Sequence, residues 1–367
     1  MKKMRKIAFY STLAGAWGGS EELWSRSALF LTDHGVIVDV GVAPIFSPEK
    51  QSLLQTHGCR LWKLPPFRRP QRVFRRQKFN WLDRANPDMV VLSLAVHHHG
   101  AEWMAELQDR KIPYVLIVQS ADESYFHSDE NVPALRAGYE RARQCFFVSQ
   151  ANKEFVQWNL AAEFPEASIV RNPFKVSYDA APTYPQEKNG RFQIACVARL
   201  EPIAKGQDIL FSVINRAKWR ARSLSVTLFG NGLTQQTLEH AKEVYKLDNV
   251  DFGGFVENVE SIWKLHQALI LPSRFEGLPL ALVEAMLCRR CAIVTDVSGN
   301  AELIEDNVTG FVAAGPSARA LDEALERAWL RREEWMQIGM LAGSRVRDLV
   351  PPDPGGLFGS MLLDLML

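Results

Sequence analysis

Ten short runs rich in Val, Ile, Leu and Phe punctuate this chain, and helical periodicity follows almost every one. They lie at Lys6–Thr12, Val36–Val42, Met89–Leu94, Tyr114–Val118 and Cys145–Ser149, then at Phe192–Ala198, Ser225–Phe229, Val250–Phe252, Ala268–Leu271 and Ala292–Thr295. Such short runs suit strands buried on both faces, as in a parallel sheet whose crossovers are helices. Two sets of five predict an α/β protein: two doubly wound, Rossmann-like parallel sheets facing a cleft. Between the sets, residues 176–190 hold Pro182, Pro185, Asn189 and Gly190 and little apolar periodicity, so they read as a linker between domains at 1–175 and 191–345.

A length of 367 residues exceeds one ordinary core and suits two such domains. Hydrophobic residues make up 47% and charged ones 23%, which is ordinary globular usage, and no apolar run approaches the roughly 18 residues of a membrane span. Lys2, Lys3, Arg5 and Lys6 before Ile7–Ala14 imitate a signal peptide. That apolar stretch is short and leads through a Gly-rich turn into a capped helix, so it reads as a first βα unit. Five scattered cysteines, an odd number, suit a reducing compartment, with the cytoplasm as the default. Cys288-Arg-Arg-Cys291 has metal or redox spacing but no second Cys or His pair nearby, and it reads as two buried thiols at a helix end.

Chemistry concentrates where Ala268–Leu271 breaks into Ser273-Arg-Phe-Glu-Gly-Leu-Pro279 and a helical stretch follows at Leu280. Gly277 relaxes the backbone and Pro279 suits a first helical turn, whose free amides welcome a phosphate. Glu276 then lies at the carboxyl edge of the sheet, and Glu284, over a turn into the helix, turns toward the same crevice. The segment Glu276-Gly-Leu-Pro-Leu-Ala-Leu-Val-Glu284 resembles the Glu-x7-Glu signature of retaining glycosyltransferases of family 4, which have the GT-B fold. Residues 295–302 and 307–311 resemble that family's continuation, and Val170-Arg-Asn-Pro-Phe174 resembles its hinge-entering segment.

The resemblance implies a retaining glycosyltransferase that moves a hexose from a nucleotide diphosphate sugar to a saccharide, lipid-linked or small-molecule hydroxyl. Arg199 and Lys205 match the pair that holds the donor β-phosphate. Charge grows on a departing diphosphate, and preorganised cations stabilise it more in the transition state than in the ground state. They stand in for a divalent metal, because no Asp-x-Asp pair occurs in the chain, and no metal or other cofactor is expected. Glu284 is expected on the ribose hydroxyls and Glu276 on the sugar hydroxyls. Gly230 supplies a turn near the nucleotide, Phe255 and Val256 match the stretch that lines the base, and Gly277 and Leu278 complete the glutamate loop. Gly18 and Gly19 look like the loop that touches donor phosphate and acceptor, with Ser20 as N-cap of the next helix. That loop lacks the Gly-x-Gly-x-x-Gly spacing of a dinucleotide site.

Where many relatives place a histidine that reaches the reacting sugar, this chain has Gln119. Glutamine hydrogen-bonds but cannot act as an acid or base, so His98, with His99, Asp122 and Glu123 nearby, is the candidate to assist. Three adjacent side chains at His97–His99 cannot easily point at one ion. By the same resemblance, Leu357–Leu367 is expected to return to the first domain. A sugar-nucleotide-binding protein with little catalysis and a GT-B epimerase are the alternatives.

Residues 60–84 hold nine basic side chains against Asp83 alone, interleaved with Trp62, Phe67, Phe74, Phe79 and Trp81. Such a stretch suits peripheral contact with the anionic inner face of a membrane, or alternatively a solvated loop. The near-neutral total charge of +1 and the lack of a recognised module argue against nucleic acid.

Overall fold

The computed structural model describes residues 4–13, 17–43, 46–65 and 71–367, without the side chains of 71–77. The chain divides into two compact units, one of residues 1–173 with 353–367 and the other of residues 174–352. Residues 176–190 therefore group with the second unit.

In the first unit, seven parallel strands run β1 (Lys6–Ser11), β2 (Ile37–Val42), β3 (Arg60–Lys63), β4 (Met89–Leu94), β5 (Tyr114–Val118), β6 (Gln144–Phe147) and β7 (Ser168–Ile169). Their order across the sheet is β3-β2-β1-β4-β5-β6-β7. The chain winds outward one way from β1, returns, and winds out the other way from β4, so the order reverses between those two neighbours. Register is regular, with Ile7 beside both Val38 and Met89. Alternate side chains feed two cores, one on each face of the sheet. Ile7 and Phe9 of β1 join Leu23, Trp24 and Val38, whereas Ala8 and Tyr10 join Phe79, Leu92 and Trp103.

The helix Gly19–Asp33 follows β1, and its N-cap is Gly18, so it starts before Ser20, whose hydroxyl turns to Glu21 instead. The last helix, Pro354–Leu365, begins on an Asp353 cap that accepts from the Gly356 amide at 3.0 Å. It packs on Gly19–Asp33 within the first unit. Ser27 Oγ donates to Gly355 O at 2.9 Å, and Phe358 meets Phe146 edge-on. The helices approach closely because a Cβ at Gly355 would sit 2.6 Å from Arg26 Cβ, and one at Gly359 2.4 Å from the Phe30 ring.

The second unit repeats the plan with β8 (Phe192–Val197), β9 (Leu224–Phe229), β10 (Val250–Gly254), β11 (Ala268–Leu271), β12 (Cys291–Thr295) and β13 (Phe311–Ala313). The order is β10-β9-β8-β11-β12-β13, all parallel, and the reversal falls between β8 and β11. Residues 178–183 are held to this unit by two arginines. Arg347 donates to the carbonyls of Tyr178 and Ala180, and the fully buried Arg290 to those of Pro182 and Thr183. All five cysteines are free and buried.

Of the five aromatic side chains expected to share a face of the basic stretch, the three described ones pack within the first unit. Phe79 and Trp81 are core side chains, Lys78 is buried and paired with Glu102, and Trp62 donates to Asp39. Phe67, Arg68 and Arg69, with the side chains of Arg72, Phe74, Arg75 and Arg76, lie outside the described residues. Among the described side chains of this stretch, Arg60, Lys63 and Arg84 are exposed basic groups, and Arg60 is paired with Asp39. No described helix is long and apolar enough to cross a membrane.

Candidate functional site

In a doubly wound sheet, the crevice for a ligand opens outside the carboxyl ends of the strands where their order reverses. In the second unit that point is flanked by the loop after β8 and the loop after β11. Lys205 comes from the first, Glu276 from the second, and their side chains meet at 2.6 Å, both largely buried. Glu276 Oε1 also accepts from Ser273 Oγ at 2.8 Å, and its amide donates to Ser298 Oγ at 3.3 Å. The pair is thus set in a polar frame drawn from three loops.

Backbone geometry explains how the Lys205 loop reaches that position. A short helix, Pro202–Lys205, ends on Gly206 at φ +66°, where a Cβ would lie 1.9 Å from Pro272 O. Only glycine fits against the carbonyl that leaves β11. Arg274 fastens the two loops further: its amide donates to Ala204 O, and its guanidinium takes Pro202 O and both carboxylate oxygens of Asp208. That fork holds the Asp208 carboxyl below its ordinary range. Neither Ser273, Ser298 nor the Arg274–Asp208 clasp stood out in the sequence, because 66 residues separate the last two and no local pattern links them.

The other expected groups of this unit line the same sheet edge. Arg199 is exposed and pairs with Glu201 at 3.0 Å, apart from the Lys205–Glu276 pair, while Gln207 holds its carbonyl at 2.7 Å. Gly230, at φ +129°, lies against Ala198 O and donates to Gly254 O at 2.8 Å. This joins the loops after β8, β9 and β10. Phe255 is 67% exposed, and Val256 beside it is half-buried. Gly277 O accepts from Gly299 N, and Leu278 is buried under the turn. Glu284, on the helix Leu280–Leu287, is buried and accepts from the Lys175 amide at 2.9 Å.

In the first unit the reversal lies between β1 and β4. Thr12 bridges them, its amide on Ser93 O and its hydroxyl accepting from Ala95 N. Gly18 and Gly19 open the helix after β1; residues 14–16 of the same loop lie outside the described residues. Gln119 is 4% exposed and committed: its amide oxygen accepts from Asn172 at 3.0 Å, and its nitrogen faces Ser93 Oγ at 3.4 Å. It ties β5 to the segment that leaves the unit.

His97 is buried rather than solvated, with its Nδ1 accepting from the Asp122 amide at 3.4 Å. His98, Tyr125, His127 and Phe155 crowd its ring. Burial, reinforced by neighbouring imidazoles, pushes His97 down to about 3 and His98 to about 4. Both are neutral at pH 7. Among the described residues no group of three or more His, Cys, Asp and Glu side chains is arranged to hold a metal ion.

Glu21 is a group that the sequence reading missed. It is 2% exposed, accepts from Ser11 Oγ and Trp24 Nε1 at 2.8 Å each, and is pushed up to about 7 by burial. An acidic residue straight after Gly-Gly-Ser, opposite the end of β1, was the available signal.

His97 and Glu21 act oppositely on stability. An unfolded chain protonates His97 below its ordinary 6.5 while the fold resists to about 3, so stability falls as the pH drops through that window, and His98 pulls the same way. For Glu21, the fold keeps a proton up to about 7 that the unfolded chain loses near 4.5, so that contribution is lost as the pH rises. Between pH 4.5 and 6.5 it offsets one histidine. Glu21→Gln is expected to steepen acid destabilisation there by about 1.4 kcal/mol per pH unit, read from denaturant midpoints at several pH values. An unchanged slope would contradict the assignment.

Residues 181–339 match the family model described as glycosyl transferases group 1. The alpha-D-kanosaminyltransferase of Streptomyces kanamyceticus is 31% identical over 126 residues, which is 34% of this chain and 33% of that protein. The chain spans less than half the length of the curated relatives it matches. Solved structures cover it almost entirely. Anabaena HepE, in complex with UDP and glucose, superposes with a TM-score of 0.76 at 18% identity, over 98% of this chain and 100% of that one. Sucrose-phosphate synthase from Thermosynechococcus elongatus gives 0.77 at 16% identity, over 98% of each chain. The fold is therefore GT-B, with two Rossmann-like parallel-sheet domains.

Proposed function

We propose that this chain, whose residues 181–339 match a glycosyltransferase family, is a retaining glycosyltransferase that moves a hexose from a nucleotide diphosphate sugar to an acceptor hydroxyl. The Lys205–Glu276 pair across the strand reversal carries the reading. Lys205 and Arg199 take the charge that grows on the departing diphosphate, Glu276 the hydroxyls of the sugar, and Glu284 those of the ribose. Glu276 Oε1 is held by Lys205 and Ser273, which leaves Oε2 for the sugar. The acceptor attacks from the face the diphosphate leaves. Its proton passes to the departing phosphate oxygen, a route that needs no strong protein base and accords with the neutral, buried Gln119. UDP in HepE supports a nucleotide donor. Two cations on the diphosphate replace a divalent ion, so turnover is expected to survive EDTA; loss of turnover that Mg²⁺ restores would refute this.

The donor test is thermal stabilisation by UDP-, GDP- and ADP-sugars in wild type and in Glu284→Ala. A ligand that binds only the folded state raises the melting temperature, and the variant is expected to lose that rise. The unliganded variant is also expected to be weaker by about 1–3 kcal/mol, because the Lys175 amide loses its buried acceptor. Retention of the full donor shift would remove Glu284 from the site. The second reading, a sugar-nucleotide-binding protein with little catalysis, is favoured by the engagement of Gln119 with Ser93 and Asn172. Donor hydrolysis without acceptor argues against it.

A further inference from the structure

The loop after β5 carries an aromatic face that the donor chemistry does not use. Tyr125 is 41% and Phe126 65% exposed, and Trp158 on the neighbouring helix Gln150–Leu160 is 83% exposed. They share one surface. The Phe126 ring meets Phe155 at 5.7 Å, Trp158 stands three residues on from Phe155 along the same helix face, and Asn159 donates to Tyr125 O at 2.9 Å. Large aromatic rings turned to solvent in one place mark a binding surface.

Two further observations limit what binds there. From residue 112 to 135 the chain has four acids, Asp122, Glu123, Asp129 and Glu130, and no lysine or arginine; on the helix of Trp158, Glu154 is exposed one turn away and Lys153 half-buried, and Arg136 is engaged with Leu160 O at 2.6 Å. Behind the aromatic face, His97 Nε2, His98 Nδ1 and His127 Nε2 are buried with no hydrogen-bond partner, and the Tyr125 ring lies 4.4 Å from that of His98. A neutral imidazole nitrogen without a partner donates to or accepts from a hydroxyl according to its tautomer, and His97, whose Nδ1 accepts from the Asp122 amide, donates from Nε2. The loop sits at the carboxyl end of β5, on the edge where the first unit's strands present their ligands.

We propose that the face formed by Tyr125, Phe126 and Trp158 binds the acceptor, and that this acceptor is a saccharide without negative charge, neutral or aminated. The inference rests on the glycosyltransferase reading. Aromatic rings pack against the apolar C–H face of a pyranose, and an ammonium group, where present, is drawn to the ring faces and the nearby carboxylates. A uronate or a phosphate headgroup meets like charge instead.

The test titrates the full chain with cellotetraose, a glucosamine tetramer, tetragalacturonate and phosphatidylglycerol vesicles, followed by tryptophan fluorescence and calorimetry. Cellotetraose or the glucosamine tetramer is expected to bind at least tenfold more tightly than tetragalacturonate. Trp158→Ala and Phe126→Ala are each expected to weaken that binding at least fivefold while the donor-induced thermal shift remains. The inference is overturned if tetragalacturonate or the vesicles bind as tightly as cellotetraose, if no saccharide binds, or if both variants bind as wild type does. Absence of any donor-induced shift would instead sink the glycosyltransferase reading and leave the saccharide face standing.

Discussion

Lys205→Met is expected to lower kcat by about 10²- to 10³-fold, the usual loss when one preorganised charge on a developing anion is removed. The same change leaves Glu276 buried without its cation, which costs about 3 kcal/mol of stability. Two effects of one substitution separate in the double variant. Adding Glu276→Gln removes the stranded charge and keeps an acceptor for Ser273, so the melting temperature recovers and turnover does not. If Lys205→Met loses activity only in proportion to its stability, and the double variant recovers both, the pair is a structural ion bridge and the proposed chemistry lies elsewhere.

Gly206→Ala is expected to cost about 2–5 kcal/mol, the sum of a left-handed backbone imposed on an L-residue and an overlap with Pro272 O. Gly35 provides the control. It has φ +75° and nothing within 4 Å of an added Cβ, so Gly35→Ala carries only the backbone cost of about 1–2 kcal/mol. Denaturant midpoints of the two variants compare these directly. Gly206→Ala pushes apart the loops that deliver Lys205 and Glu276, so turnover is expected to be lost even at temperatures where the variant remains folded. Equal midpoints for the two variants would mean that the Gly206 loop does not press on β11.

Long, fully buried strands were legible residue by residue: Met89–Leu94, Tyr114–Val118 and Ala268–Leu271 run where their apolar runs do. Three strands were not. Arg60-Leu-Trp-Lys63 lies at a sheet edge with both ends exposed, so its composition is that of a charged loop. Ser168–Ile169 is two residues long, too short for any period, and Phe311–Ala313 was hidden inside a segment read for its resemblance. At the candidate site, Glu276 and Glu284 declare themselves by spacing along one turn. Nothing local joins Lys205 to Glu276 across 71 residues; the succession of strands does that. Gln119 was visible as a departure, but its engagement with Asn172 depends on a long-range contact that no pattern encodes.

The closing helix Pro354–Leu365 lies against Gly19–Asp33, and this orders events during translation. The unit that begins first is completed only after the second has been made, because Phe358 and Leu362 belong to its core. Residues 174–352 are contiguous and have all their own partners before that. A nonsense codon after residue 352 would therefore spare the unit that carries Lys205 and Glu276, and strip a wall from the unit that residues 1–173 build.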